Sequence, residues 1–353
     1  MYVKRYRKRT VYRWRVLRIA NYYESRLGRN DGNPLYVTAC LKRMQYYSGI
    51  FGGIGPNREL SGWFSSGSID PRAELAARKI WEDHKEIIEI DHIYPTGDIS
   101  PFGTYDLNIH VDWGEDALKG LLPYNPIECP KPFAYWASDT HINNGLDGDS
   151  YPHRLSVAKK ADFVFCAQKE GVEKMKADGV LNPIWLPHAF EPQAYPKGEV
   201  LTKKYDVCFV GHVNSKNREE ALDKLFSEFP NFYYGQALFD DAAQKYAESK
   251  VCFNISMTND LNMRTFEIMG TGSFLLTNWI PSIEEFFEDG KHLVLYRSLD
   301  EMIDKARYYA DHDDERQKIA LAGYEEVMKN HTIQNRVDVI LNEFMKSRKL
   351  VCA

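Results

Sequence analysis

The chain of 353 residues is long enough for two domains of ordinary size. It is 44% hydrophobic and 27% charged, which is typical of a globular protein, and no apolar run approaches the roughly 20 residues that span a bilayer. Its net charge is −5, although residues 1–18 carry eight Lys and Arg and no acid. No apolar stretch follows these basic residues, so we expect no secretory signal and no transmembrane segment.

The basic arm, residues 1–18, also contains aromatic side chains such as Tyr6 and Trp14. Basic and aromatic residues together suit nucleic acid or an anionic surface. The alternative is a solvated arm whose last part becomes the first strand. The sequence leaves both interpretations open, so nucleic acid stays a candidate partner.

None of the six cysteines forms a C-x-x-C pair. Cys166, Cys208 and Cys252 lie in strand-like runs, where a thiol behaves as a small buried apolar group. This cysteine usage favours a reduced, cytoplasmic compartment.

Strand-like and helix-like segments alternate up to residue 190. The predicted strands are 15–23, 105–112, 132–139, 162–167 and 183–190. The predicted helices are 33–47, 71–87, 153–161 and 169–179. Such alternation predicts a mainly parallel sheet covered by helices.

Residues 191–204 break this rhythm with two prolines and a glycine, and they predict an interdomain linker. The alternation then restarts. The predicted strands are 205–211, 231–235, 251–256, 273–278 and 292–296. The predicted helices are 217–229, 240–250, 262–270, 282–287, 298–312, 314–331 and 335–353. We therefore expect an α/β protein with two facing Rossmann-like, doubly wound domains, 19–190 and 205–334, around a central cleft.

The stretch 262–276, "NMRTFEIMGTGSFLL", has two interpretations. Arg264 and Glu267 share one face of a short helix, and Gly270 and Gly272 follow it. These features predict either an ion pair followed by an ordinary helix stop, or a helix and turn built around a ligand. The residues alone leave both possibilities open.

A second candidate is 210–222, "VGHVNSKNREEAL". Gly211 ends a strand, a polar loop follows, and a helix then begins. Backbone N–H groups at a helix start bind phosphate readily, and Lys216 and Arg218 would add positive charge. The alternative is a solvated loop between strand and helix.

Four further polar residues lie at the ends of two predicted strands, where they would converge: His110, Asp112, Asp139 and His141. This set suits either a metal site or acid–base chemistry and acceptor binding. The "DGD" of residues 147–149 lies in a loop instead of at a strand end, so we do not interpret it as a metal motif.

The pattern "R-x-F-E-x-M-G-T-G", a buried strand, then "PSIEEFFEDGKHLVLY" resembles the C-terminal half of glycosyltransferases of the GT-B fold, of the CgeB-like or "glycosyl transferases group 1" type. The resemblance covers residues 205–335 well and 15–190 more weakly, and it leaves out the basic arm. It implies that the last helix, 335–353, returns to the N-terminal domain. It also implies a nucleotide-sugar donor held by the C-terminal domain and an acceptor held by the N-terminal domain.

The resemblance also implies roles for residues of the second domain. Glu267 corresponds to the second glutamate of a Glu-x7-Glu pair, which binds the nucleotide ribose. The first glutamate falls at Asn259, which is not acidic, so Asn259 or Asp260 would replace it. The residues expected to hold the nucleotide and its diphosphate are Gly211, Lys216, Arg218, Arg264, Gly270, Thr271 and Gly272.

For the first domain, the resemblance implies that Gly28, Arg29 and Asn30 face the donor phosphates and the acceptor. His141 would lie near the donor sugar, and Asp139 and Asp112, which end predicted strands as His141 does, are the other catalytic candidates. His188 would touch donor or acceptor. No metal is expected to be required.

The function implied is transfer of a hexose from a nucleotide-diphosphate sugar, UDP-glucose or a close relative, with retention at the anomeric carbon. Alternatives are a nucleotide-sugar epimerase of the same fold, a nucleic-acid-binding protein that acts through residues 1–18, or an enzyme delivered by that arm to a nucleic-acid acceptor. The sequence does not distinguish a glycan, protein or nucleic-acid acceptor.

Overall fold

The protein is described from a computed structural model. The described residues are 15–22, 37, 40, 41, 44, 71–84, 86–93, 105–111, 129, 131–138, 140, 151–195, 202–213, 215–237, 239–256 and 259–351. Four of them, Val37, Cys40, Leu41 and Met44, are helical and buried, and they lie within the predicted helix 33–47.

Within these residues, the first sheet has six parallel strands in the order β2-β1-β3-β4-β5-β6. The strands are β1 (Arg15–Tyr22), β2 (Glu86–Ile93), β3 (Leu107–Val111), β4 (Phe133–Ala137), β5 (Phe163–Cys166) and β6 (Ile184–Trp185). The helices are α1 (Pro71–His84), α2 (Tyr151–Ala158) and α3 (Lys169–Ala177). Every residue of β3 and β4 is buried, as expected for parallel strands covered on both faces.

The second sheet has five parallel strands in the order β11-β10-β9-β7-β8. The strands are β7 (Tyr205–Val210), β8 (Phe232–Gly235), β9 (Ser249–Asn254), β10 (Leu275–Asn278) and β11 (Val294–Tyr296). The helices are α4 (Lys216–Glu228), α5 (Phe239–Ala247), α6 (Met263–Gly270), α7 (Leu299–Asp311), α8 (Asp313–Asn330) and α9 (Ile333–Val351), with a 3-10 turn at Ile283–Glu285.

The two sheets share one topology. Each places its first strand between its second and its third, so the direction of winding reverses between the first and third strands. In open parallel sheets, ligands bind at the carboxyl ends of the strands beside that reversal. The predicted α/β fold with two Rossmann-like domains is confirmed, and it locates one switch point between β1 and β3 and another between β7 and β9.

Two predicted elements were wrong in extent. The helix predicted over 71–87 ends at His84, and the following segment forms strand β2, which was missed. Its sequence, EIIEIDHI, is rich in isoleucine, whose branched side chain favours strands over helices. The strand predicted over 183–190 joins the first sheet only at Ile184–Trp185, and Pro187, which has no N–H to donate to a ladder, follows soon after; Phe190 forms a separate bridge with Thr332.

The chain crosses between the two domains twice, and the crossings are hydrogen-bonded to each other. The amide of Phe190 donates to the carbonyl of His331, and the amide of Ile333 donates to the carbonyl of Phe190, both at 2.9 Å. Arg336, almost fully buried, donates to the carbonyls of Pro187 at 2.8 Å and His188 at 3.0 Å. Helix α9 then packs against α1 and β5 of the first domain.

His331 lies buried in this crossing and must stay neutral there. Burial, then the nearby Arg336 cation, lowers its pKa to about 4, although Glu326 and its 3.5 Å contact oppose the shift. Arg336 also lies 3.3 Å from the ring Nδ1 of His331, an arrangement that requires an unprotonated nitrogen.

We therefore expect acid to destabilise the protein through His331. In the unfolded chain the imidazole binds a proton below about pH 6.5, whereas in the folded chain it does so only near pH 4. The free energy of unfolding therefore keeps its full value above pH 6.5. It falls by roughly 3 kcal/mol as the pH decreases towards 4. Denaturant unfolding at pH 7 and pH 4.5 should show this loss in the wild type and a smaller loss in His331→Gln. Equal losses in both proteins would contradict the assignment.

All five cysteines in the described part of the chain are buried and unbridged. Among the helices of the described residues, none combines the length and apolar character needed to cross a bilayer.

Candidate functional site

The candidate site lies at the switch point of the second domain, where β7 ends at Val210 and β9 ends at Asn254. The two strands are direct neighbours, with Cys208 beside Cys252, so the loops that follow them emerge side by side. One loop begins with Gly211 and leads into α4. The other leads, through residues that include Asn259, into α6.

Arg218 joins these two loops. Helix α4 begins after Ser215, whose hydroxyl accepts the Arg218 amide, and this cap places the Arg218 side chain beneath the loops. Its guanidinium donates to the carbonyl of His212 at 2.7 Å and to the carbonyl of Ile255 at 2.8 Å. The side chain is only 5% exposed, and burial, then the neighbouring Arg264, lowers its pKa to about 10.

Arg264 approaches the same place from α6. Its guanidinium lies 5.2 Å from the centroid of the Phe209 ring, and that of Arg218 lies 5.5 Å from it. Gly211 has φ +153°, and a Cβ there would collide with the Arg264 guanidinium. Two cations and a bare backbone therefore share one small region, where an anion would relieve the repulsion between the cations.

Asparagine side chains fix the direction of α6. Asn262 caps the helix by accepting the Thr265 amide at 3.2 Å. Asn254, fully buried at the end of β9, donates to Asn262 at 3.2 Å and accepts from Arg264 at 3.2 Å. The first turn of α6 and the Arg264 side chain are thus held against the strand end.

Within the described residues, no ion pair joins Arg264 and Glu267, so the ion pair of the first interpretation is not observed, and a helix built around a ligand stays a prediction. Glu267 instead accepts a hydrogen bond from the Tyr195 hydroxyl at 2.9 Å. Burial raises the pKa of Glu267, and the Arg264 charge and the Tyr195 hydrogen bond oppose that rise. Tyr246 of α5 lies close enough for the Glu267 charge to raise its pKa further, after burial.

The end of α6 is a Schellman turn. The amide of Gly272 donates to Met269, and that of Ser273 donates to Ile268, with Gly272 at φ +79°. The Thr271 hydroxyl is buried and donates to the Ile268 carbonyl at 2.8 Å. Gly270 faces the first domain, because a Cβ there would collide with the Phe190 ring. Gly270, Thr271 and Gly272 therefore each have a structural role. Their contact with a nucleotide stays a prediction.

The loop before α6 reaches the facing domain. Asn259 donates to a carboxylate oxygen of Glu170, near the start of α3, at 2.9 Å. Lys169 forms an ion pair with Glu285, and the Trp185 ring lies 4.8 Å from that of Phe286. The two domains therefore contact each other along one side of the cleft.

The other predicted site residues divide into two groups. The first group is described by the structure. Lys216 is exposed at the first residue of α4, and Asp260 accepts a hydrogen bond from the Ser256 hydroxyl at 2.5 Å. His188 is buried beside the crossing, and His110 is buried with its ring stacked on that of Tyr135 at a centroid distance of 5.7 Å. The remainder lie outside the described residues: Gly28, Arg29, Asn30, Asp112, Asp139 and His141. No group of three or more His, Cys, Asp or Glu among the described residues would hold a metal ion.

Three contributors were missed from the sequence: Tyr195, Asn254 and Glu170. Asn254 carried a usable signal, because a polar residue that ends a buried strand at a switch point is a candidate by its place alone. Tyr195 lies in the predicted linker, and Glu170 lies on a helix of the other domain, so neither spacing nor periodicity connects them with α6.

We expect Gly211→Ala to damage this site through both backbone and packing. The residue would have to hold φ +153° with a side chain that overlaps Arg264, at a cost of about 1–3 kcal/mol in stability. Displacement of Arg264 should also weaken nucleotide binding. Thermal unfolding and nucleotide titration test this, with Gly235→Ala as a control, since its Cβ would meet the Tyr233 side chain instead. Unchanged binding in Gly211→Ala would separate Gly211 from the site.

Residues 203–342 match the family described as glycosyl transferase-like. A search of curated proteins found no match.

Three solved structures have similar folds. HepE of Anabaena, solved with UDP and glucose, gives a TM-score of 0.56 at 11% identity, over 94% of this chain and 100% of that one. Sucrose-phosphate synthase from Thermosynechococcus elongatus gives 0.57 at 10% identity, over 94% and 99%. A mutant TarM from S. aureus, solved with fondaparinux, α-GlcNAc-glycerol and UDP, gives 0.51 at 14% identity, over 67% and 55%.

At these identities the structural likeness shows the fold, which is the GT-B arrangement of two Rossmann-like domains. The predicted resemblance to GT-B glycosyltransferases is confirmed in the fold and in the glycosyl transferase-like match of residues 203–342. The narrower CgeB-like assignment stays a prediction.

Proposed function

We propose that this protein transfers a hexose from a nucleotide-diphosphate sugar, UDP-glucose or a close relative, to an acceptor bound on the first domain. The observation that carries the proposal is the meeting of Arg218, Arg264 and the Gly211 backbone at the switch point of the second sheet. Such a place suits a diphosphate, because it combines fixed positive charge with an approachable backbone.

Each residue would have a separate task. Arg264, held by Asn254 and partly exposed, would neutralise the charge that develops on the leaving diphosphate. Arg218, engaged with two carbonyls, would keep the loops in place and add positive charge beneath them. Glu267 would accept the ribose hydroxyls through its carboxylate. Fixed cations would then stabilise the leaving group, and the cleft would align donor and acceptor.

Two further findings support a UDP-sugar as the donor. HepE of Anabaena, which shares the fold, has been solved with UDP and glucose and also with UDP-glucose. The likeness covers at least 99% of those HepE chains and at least 92% of this one, so it extends over both sheets. We propose retention at the anomeric carbon on the resemblance alone.

Product analysis tests the proposal. The purified protein is incubated with UDP-glucose, UDP-N-acetylglucosamine or GDP-mannose, with and without a panel of glycan and peptide acceptors. We expect nucleoside diphosphate release that depends on an acceptor, with the sugar recovered on that acceptor. A changed sugar still attached to its nucleotide, formed without acceptor, would instead identify an epimerase.

A further inference from the structure

Tyr195 follows the first domain in the chain but lies against the second. It ends a turn in which the amides of Ala194 and Tyr195 donate to the Glu191 carbonyl at 3.1 and 3.3 Å. The side chain is only 4% exposed. The turn therefore fixes the direction in which the tyrosine leaves the backbone.

Two aromatic rings hold Tyr195 in place. Its ring centroid lies 6.1 Å from that of Phe190 and 5.8 Å from that of Phe239. Phe239 begins α5 with φ +52°, a conformation that is costly for a bulky residue and persists where the surrounding structure demands it. Phe190, in turn, lies directly under Gly270 at the end of α6.

The Tyr195 hydroxyl donates a hydrogen bond to the carboxylate of Glu267 at 2.9 Å. A carboxylate has two oxygens and about four acceptor sites, so one donated bond holds one oxygen in place and leaves capacity for a ligand diol. Since Phe190 is hydrogen-bonded to the returning chain at His331 and Ile333, this contact connects α6 to both interdomain crossings.

We propose that Tyr195 is a positioning residue, which holds the Glu267 carboxylate ready for the vicinal hydroxyls of a nucleotide ribose and links the donor site to the interdomain crossing. The inference rests on the proposed role of Glu267 in donor binding. It assigns a specific task to a residue of the predicted linker.

The proposal has a pH signature. In the described part of the chain, three groups face Glu267: Arg264 on its own helix, Tyr195 from the linker and Tyr246 from α5. Burial raises the pKa of Glu267, and the Tyr195 hydrogen bond and the Arg264 charge lower it. Removing the hydroxyl therefore raises the pKa further, so that Glu267 takes up its proton at a higher pH and donor binding fails earlier on acidification.

Tyr195→Phe removes this hydroxyl and keeps the ring between Phe190 and Phe239. UDP binding is titrated by calorimetry from pH 5 to 8, and the Glu267 carboxyl is titrated by NMR without ligand. The matched control is Tyr308→Phe, which removes an exposed tyrosine hydroxyl that donates to Glu315 at 3.0 Å. Thermal unfolding of each variant checks that it is folded.

We expect Tyr195→Phe to weaken UDP binding about tenfold at neutral pH. In Tyr195→Phe, the pH below which UDP binding is lost and the pH at which Glu267 titrates should both be higher than in the wild type. Tyr308→Phe should match the wild type in both. An unchanged Glu267 titration in Tyr195→Phe overturns the inference. If the wild type binds no nucleotide, the proposed donor role fails, and the NMR titration still decides whether Tyr195 governs the carboxylate.

Discussion

Glu267→Ala is expected to weaken nucleoside diphosphate binding at least about a hundredfold, because a hydrogen bond to a charged acceptor contributes roughly 1.5–3 kcal/mol and the carboxylate would accept two from the ribose. The carboxylate is held by Tyr195 and faces Arg264, so its loss removes a prepared contact. Calorimetric titration of UDP into the wild type and the variant measures the change in Kd.

A second readout separates this functional role from a structural one. Because burial raises the pKa of Glu267, its contribution to stability is full below the unfolded pKa and is lost as pH rises through the folded value. A neutral amide at this position avoids the cost of burying an ionised carboxylate. Glu267→Gln should unfold at a temperature equal to or above that of the wild type, yet bind UDP poorly. Glu315→Ala, which removes the exposed partner of Tyr308, should leave binding unchanged. Normal UDP binding by Glu267→Gln would remove Glu267 from the site.

Arg264→Met should lower kcat by roughly a hundredfold to a thousandfold with a nucleotide-sugar donor, the range found when a preorganised charge-stabilising donor is removed. The guanidinium packs on Phe209 and Gly211, so methionine fills similar space and removes the charge. The loss should fall on kcat, since the negative charge of the diphosphate grows as the sugar leaves. Initial-rate kinetics with the donor varied measure kcat and KM separately.

Two further variants serve as controls for Arg264→Met. Arg264→Lys keeps a positive charge without the planar guanidinium and should recover part of the rate. Arg307→Met removes an exposed arginine that pairs with Glu228 on the surface, and it should behave as the wild type. A loss of the same size in Arg307→Met would show that Arg264→Met acts through general damage.

The fold was predictable because local signals agreed along most of the chain. Apolar runs such as FAYWA and YDVCFV became buried parallel strands, and the restart after residue 204 correctly predicted a second sheet. β2 was missed because its acidic and apolar residues continue a pattern that also suits the preceding helix. Periodicity does not distinguish a short isoleucine-rich strand from the end of a helix.

The candidate site was predictable only in part. Strand ends and helix starts identified the loop at Gly211 and the helix of Arg264 and Glu267, because those places follow from chain order. The partners of each side chain did not follow from it. Arg264 faces Gly211 and Asn254, and Glu267 faces Tyr195, although their spacing along α6 also allowed an ion pair between them. Such contacts depend on the packing of segments distant in sequence.

A thermal-shift screen tests the central proposal most directly. UDP-, GDP- and ADP-sugars are added to the wild type and to Glu267→Ala, each at concentrations up to about a hundred times Kd, where binding contributes about 2.7 kcal/mol. We predict that at least one of these donors, with UDP-glucose or a close relative the strongest, raises the unfolding temperature of the wild type and not that of Glu267→Ala. No stabilisation of the wild type by any of these donors, or equal stabilisation of both proteins, would contradict a nucleotide-sugar site built on Glu267.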